Sequence, residues 1–69
     1  MERQAIVSSY LKSVGYDKET HTLEIEFVSG KVFQYLSFPE ELYKHFNDAP
    51  SKGKFFTQNI KGTYIGVEV

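Results

Sequence analysis

Cysteine is absent from this sequence, and with it go disulfides and thiolate-held metals as supports for the fold. A secreted domain this small usually carries disulfide staples, so the absence predicts a cytoplasmic protein. No run approaches the ~18 apolar residues that a membrane span needs. The N-terminal MERQAIVSSY lacks the apolar core of a signal peptide, so neither membrane contact nor export is expected. An excess of one charge is missing too: 8 Lys and Arg stand against 9 Asp and Glu, a formal net charge of −1. Such a balance argues against strong non-specific nucleic-acid binding, which draws on clustered cations, while leaving room for a local basic patch. Repeats, low-complexity tracts and phosphate-cradling glycine motifs are also lacking; Gly62-x-x-x-Gly66 sits in a polar context and carries little information.

What is present suits one thin core. A chain of 69 residues has room for a single domain, 1–69, and 41% of it is hydrophobic. Aromatics make up 16%, as five Tyr and six Phe, and each buries much area per residue. Residues Thr22 to Val28 alternate, with Leu23, Ile25 and Phe27 on one face and Thr22, Glu24, Glu26 and Val28 on the other. That period marks a strand half buried against a core. Ser29-Gly30 is a turn signal, and Val32 to Leu36 forms the partner strand of a hairpin. Upstream, Ser8 to Tyr16 reads as the first strand of a meander. Its alternation is imperfect, and a bulge near Ser13 would reconcile Leu11 with Val14 and Tyr16.

The period then changes. Ser37 or Phe38 lies just before a helix that takes Pro39 in its first turn, with Glu40 and Glu41 complementing the positive dipole end. Leu42 and Phe46 supply the apolar stripe, flanked by Tyr43. Pro50 disfavours helix at Ala49, and Ser51 is a fitting N-cap for a second helix over Lys52–Ile60. Phe55, Phe56, Asn59 and Ile60 form its expected buried side, with Phe46 and Phe55 as core anchors. Tyr64 to Val69 alternates as a last strand with Ile65, Val67 and Val69 aligned. The predicted class is α+β: an antiparallel meander with two short helices on one face, in the order β-β-β-α-α-β.

Val7-x-Ser9, Val14-x-Tyr16-Asp17, Leu23-x-Ile25-x-Phe27, Gly30, Pro39, Tyr43, Ala49-x-Ser51-x-Gly53-x-Phe55-Phe56, Ile60 and Tyr64 together resemble the KTSC family. The resemblance spans nearly the whole chain, and Ser51-x-Gly53-x-Phe55 is its sharpest piece. The family takes its name from the C-terminal domain of some lysyl-tRNA synthetases and also occurs as a stand-alone bacterial protein. The resemblance implies an aromatic-x-aromatic motif, Tyr-x-Tyr in the family and Phe33-Gln34-Tyr35 here, so one hydroxyl is missing. By its synthetase company it also implies RNA, tRNA-like, as a ligand class.

Two surfaces are candidates for that role. Phe33 and Tyr35 share one face of their strand, and the turn decides which. A two-residue loop at Ser29-Gly30 sets them beside Glu24 and Glu26 as an exposed stacking platform. A three-residue loop with Gly30 left-handed pairs Phe27 with Lys31 and turns both aromatics toward the core. The second surface is basic: Ala49 to Val67 holds no acidic residue but carries Lys52, Lys54 and Lys61. These three are the candidate phosphate contacts, with Phe33, Tyr35 and Tyr43 as the aromatic set; a charged helix face that is merely solvated is the plain alternative. Gly53 is read as making room for a close neighbour, Tyr64 or Tyr16.

Catalysis finds no residue set. His21 lies in a turn, and Glu41 and His45 share a helix face with Asp48 following, but no further ligand is fixed, so no metal and no cofactor are expected. Ser8 and Ser9 lack an evident base. The expectation is a non-catalytic binding domain for RNA. The competing expectation is a protein-interaction or self-association module using the last strand as an open sheet edge.

Overall fold

The alternation of β3 (Thr22–Phe27) makes it the centre of a five-stranded antiparallel sheet with strand order β1-β2-β3-β4-β5. The computed structural model describes residues 1–69. β2 (Leu11–Asp17) and β4 (Val32–Tyr35) flank β3, and β1 (Gln4–Ala5) and β5 (Gly66–Glu68) form the two edges. The element order is β-β-β-β-α-α-β. The expected meander therefore gains one short strand at its start, where Gln4 pairs with Val14 and Ala5 with Ser13.

The expected bulge exists. Leu11 pairs with Phe27 but Ser13 with Glu26, which leaves Lys12 as the extra residue. The insertion lets Leu11 and Val14 both face the core, as their burial requires. The first predicted strand begins later than expected. The Ser8 hydroxyl accepts hydrogen bonds from the amides of Tyr10 and Leu11, a side-chain turn that holds this stretch out of the ladder.

The β3–β4 hairpin takes the three-residue loop. Phe27 N–H donates to Lys31 O at 2.8 Å, and Gly30 sits at φ 97°, a left-handed position that glycine adopts without steric cost. Leu23 pairs with Tyr35 and Ile25 with Phe33, so both motif aromatics lie on the core side. The exposed platform does not form. The opposite sheet face is polar and tied together: Arg3 Nη1 reaches Glu24 Oε2 at 2.9 Å, Gln34 Nε2 donates to Glu24 Oε1, and Ser13 Oγ donates to Glu26 Oε1.

Helix α1 (Glu40–Asp48) begins one residue later than predicted, with Pro39 extended at the N-cap rather than inside the first turn. Ser37 precedes it at φ 55°, a left-handed conformation uncommon for serine. The second predicted helix is in two parts. Helix α2 (Lys52–Phe55) starts on Ser51, whose Oγ accepts from Lys54 N–H. A π-helical turn, Phe56–Ile60, follows and closes with Lys61 N–H donating to Phe56 O. The wider turn buries Phe56 and Ile60 but leaves Asn59 exposed, its Nδ2 donating to Phe55 O. Phe55 is half buried against Phe46, so Phe56 rather than Phe55 fills the core beneath this segment.

The core joins Leu11 and Val14 of β2, Leu23, Ile25 and Phe27 of β3, Tyr35 of β4, and Phe38, Phe46, Phe56 and Ile60 from the helical layer. Phe38 and Phe46 are fully buried. No helix is long and apolar enough to cross a membrane.

Candidate nucleic-acid interface

Because the hairpin turns Phe33 and Tyr35 inward, they meet aromatics from other elements. Tyr10, Phe27, Phe33, Tyr35 and Phe56 wall an open cleft of about 320 Å³, with Lys31 and Lys61 on its lining. The rings pack edge to face or tilted: Phe27 to Phe56 at 5.3 Å, Tyr10 to Phe27 at 5.4 Å, and Tyr35 to Phe56 at 5.8 Å between centroids. Tilted aromatic contacts of this kind rigidify a wall beyond what buried area alone provides. The π-helical turn places Phe56 in the wall and Lys61 just past its end.

Tyr35 is 94% buried by its 6% residual exposure, yet its hydroxyl makes no hydrogen bond within the chain. No polar side-chain atom is both sealed from solvent and unpartnered, so this hydroxyl reaches solvent, on a residue that lines the cleft. Burial, and secondarily the neighbouring Tyr10, push its pKa above the ordinary tyrosine value. Tyr35 therefore brings a neutral hydrogen-bonding group to a largely aromatic lining.

A second, polar groove adjoins the cleft and shares Tyr10 and Lys61 with it. Ser8, Ser9, Ser51, Lys52, Lys54 and Gln58 are among its lining residues, and no Asp or Glu lines either hollow. All three predicted lysines thus lie along one groove, but they are not equivalent. Lys52 Nζ donates to the carbonyls of Asn47 and Ala49 at 3.0 and 3.3 Å and caps the end of α1. Lys54 and Lys61 are exposed. Gly53 faces Ser8 and Tyr10 rather than the expected Tyr64 or Tyr16; a Cβ there would lie 3.1 Å from Ser8 Oγ.

Tyr43 stands apart from the other motif aromatics. Its ring stacks on Tyr16 at 4.7 Å with 15° between planes, and Tyr16 in turn donates its hydroxyl to Phe38 O. This pair braces α1 against β2. The sequence reading missed Tyr10, Lys31 and Phe56 as partners of Phe33 and Tyr35. Their meeting depends on the hairpin register and the π-helical turn, neither of which residue types fix. His21 shares a shallow surface depression with Glu40 and Glu41, but they exchange no hydrogen bond, and His21 and Glu41 are exposed. No group of three His, Asp or Glu is placed to hold a metal ion.

The KTSC domain model matches residues 7–64, most of the length. The chain belongs to the KTSC domain family. A KTSC domain protein from Yersinia pestis superposes with a TM-score of 0.95 at 40% identity, covering 99% of this chain and 96% of the other. An uncharacterized protein from Stutzerimonas stutzeri is 43% identical over 61 residues, 88% of this chain and 86% of its own length. A lysine–tRNA ligase from Nostoc punctiforme is 41% identical over 56 residues, 81% of this chain but 10% of the ligase. The KTSC domain thus occurs both in small proteins of this size and as a minor part of a much larger synthetase.

Proposed function

We propose that this KTSC domain is a non-catalytic, cytoplasmic RNA-binding module for single-stranded or tRNA-like segments. Lys54 and Lys61 supply the phosphate contacts, Lys52 contributes less because its ammonium is already engaged, and the aromatic cleft receives bases. The supporting observation is the continuity of the two hollows through Tyr10 and Lys61, with no acidic residue on either lining. Cationic grooves beside aromatic walls suit single strands, since the backbone tracks the charge while bases stack. The kinship with a lysine–tRNA ligase segment supports the same ligand class.

The test is a titration of labelled single-stranded RNA at low and moderate salt. Binding that weakens steeply with salt, and weakens further in Lys54→Ala and Lys61→Ala, is the expected result. No binding at low salt, or binding indifferent to both substitutions, overturns the reading.

A second reading, self-association through β5, is favoured by one observation. β5 is a sheet edge, and Val67 pairs with Gln34 and faces the outer side of the sheet. Leu36, Ile65, Val67 and Val69 are all exposed along this margin, at 55, 85, 50 and 65%. Exposed aliphatic side chains on an open strand suit edge pairing with a second copy of the chain. Light scattering that reports a monomer at every accessible concentration removes it.

A further inference from the structure

We infer that the aromatic cleft is a site for a single unpaired nucleobase whose phosphate lies on Lys61 and Lys31 and whose edge is read by the Tyr35 hydroxyl. This rests on the RNA reading and deepens it. A groove of lysines alone accounts for phosphate, but not for a cavity lined by five aromatic residues with an unpartnered Tyr35 hydroxyl among them.

Three features select the ligand. The volume, about 320 Å³, lies at the lower end of small-molecule sites and suits one planar ring system rather than an extended ligand. The lining is largely aromatic, with Tyr10 its most exposed ring at 43% and Phe27, Phe33 and Phe56 behind it, which favours flat heterocycles over branched aliphatic groups. The only charges on the lining are the two lysines, so an anionic group attached to that heterocycle is matched at the rim. A heterocycle carrying phosphate is a nucleotide. Tyr35 supplies the specificity element: its hydroxyl has no partner in the chain and is not sealed from solvent, and the residue lines the cleft, so a ligand acceptor or donor completes it.

A free nucleotide and a nucleotide within RNA share this chemistry, and the experiment separates them. Aromatic and lysine side-chain resonances of the full chain are followed by NMR during titration with uridine monophosphate, short oligouridylate, and inorganic polyphosphate. Tyr35→Phe is the diagnostic variant, because removing a hydroxyl that no protein group uses leaves the fold intact.

The expected result is that both uridine ligands shift Tyr35, Phe56 and Phe33, and that Tyr35→Phe weakens them about five- to tenfold, the loss of one hydrogen bond. Polyphosphate moves Lys61 but not the cleft aromatics. Oligouridylate binding at least ten times tighter than the monophosphate identifies RNA as the source; equal affinity identifies the free nucleotide. Both support the site. If oligouridylate binds through the lysines while the cleft resonances stay unmoved and Tyr35→Phe is neutral, the base site is overturned and RNA binding by the groove survives. If no ligand moves any resonance, both readings are overturned.

Discussion

Gly66 on β5 pairs with Tyr35 on β4, and a Cβ on Gly66 would lie 2.7 Å from Tyr35 Cε2 and 2.9 Å from its Cζ. Phe33 Cδ2 would stand 3.2 Å away. The missing side chain is what lets the edge strand close over the two motif aromatics. Gly66→Ala therefore displaces the Tyr35 ring into the cleft or pushes β5 off the sheet. The expected cost is about 1–3 kcal/mol of overpacking, read by chemical denaturation, together with weakened uridine binding. A variant with wild-type stability and binding would show that the ring moves freely.

Phe46 and Phe55 touch, with ring centroids 5.8 Å apart, but they are not equally buried. Phe46 is fully enclosed and Phe55 only partly buried. Phe46→Ala should cost about 3–5 kcal/mol, enough to unfold so small a domain. Phe55→Ala should cost about half of that. Equal losses in urea melts would mean that α2 packs more tightly than its exposure indicates.

Much of this contrast was legible beforehand, and some was not. The alternation of Leu23, Ile25 and Phe27 revealed the central strand, and the conflict between Leu11 and Val14 revealed the bulge, because burial parity is a local property. The Gly30 turn left two registers open, since both need a glycine; only long-range packing chose the one that hides Phe33 and Tyr35. β1 was invisible: two residues have no period, and their pairing with Val14 and Ser13 is imposed from β2. The π-helical turn was equally hidden, for Phe56–Ile60 carries the same residue pattern as an α-helix. The Gly62-x-x-x-Gly66 spacing carries little information by itself, yet Gly66 is a packing necessity that only its partner strand explains. For the site, the residue pattern placed the three lysines on or beside the second helix, but nothing local disclosed that they line one groove, that Lys52 is occupied or that Tyr10 and Phe56 complete the cleft.

Alkaline pH should weaken the fold. Burial raises the pKa values of Tyr16 and Tyr35, with Glu40 and Asp17 adding to the effect at Tyr16. A folded-state value above the unfolded one means that the native state holds the phenolic proton more tightly. That stability is fully present below pH ~10, the unfolded value, and is lost as pH rises through the folded one. Melting temperatures followed together with tyrosinate absorbance should stay level in this respect up to about pH 9 and fall beyond about pH 10. Tyr16→Phe should flatten the decline and lower neutral-pH stability by about 1 kcal/mol, because Phe38 O loses its donor.

The lysines separate by role. Lys52→Ala removes the cap on the carbonyls of Asn47 and Ala49 and should lower stability by about 0.3–1 kcal/mol. RNA affinity should change little. Lys54→Ala and Lys61→Ala should do the reverse, leaving the denaturation midpoint in place while reducing the slope of affinity against salt. Identical behaviour of all three would erase the distinction drawn from hydrogen bonding.

The bond from Lys61 N–H back to Phe56 O spans five residues where an ordinary helix spans four. A helix with one residue too many is also a helix from which one can be taken. Excising Gln58, an exposed member of the turn, would place Lys61 four residues after Phe56, so the same bond would close a regular α-turn and the chain downstream would keep its direction. Phe56 would keep its seat and Lys61 its place beside the rings. A deletion here, unlike one in a regular helix, would leave the aromatic and cationic halves of the surface addressing the same ligand.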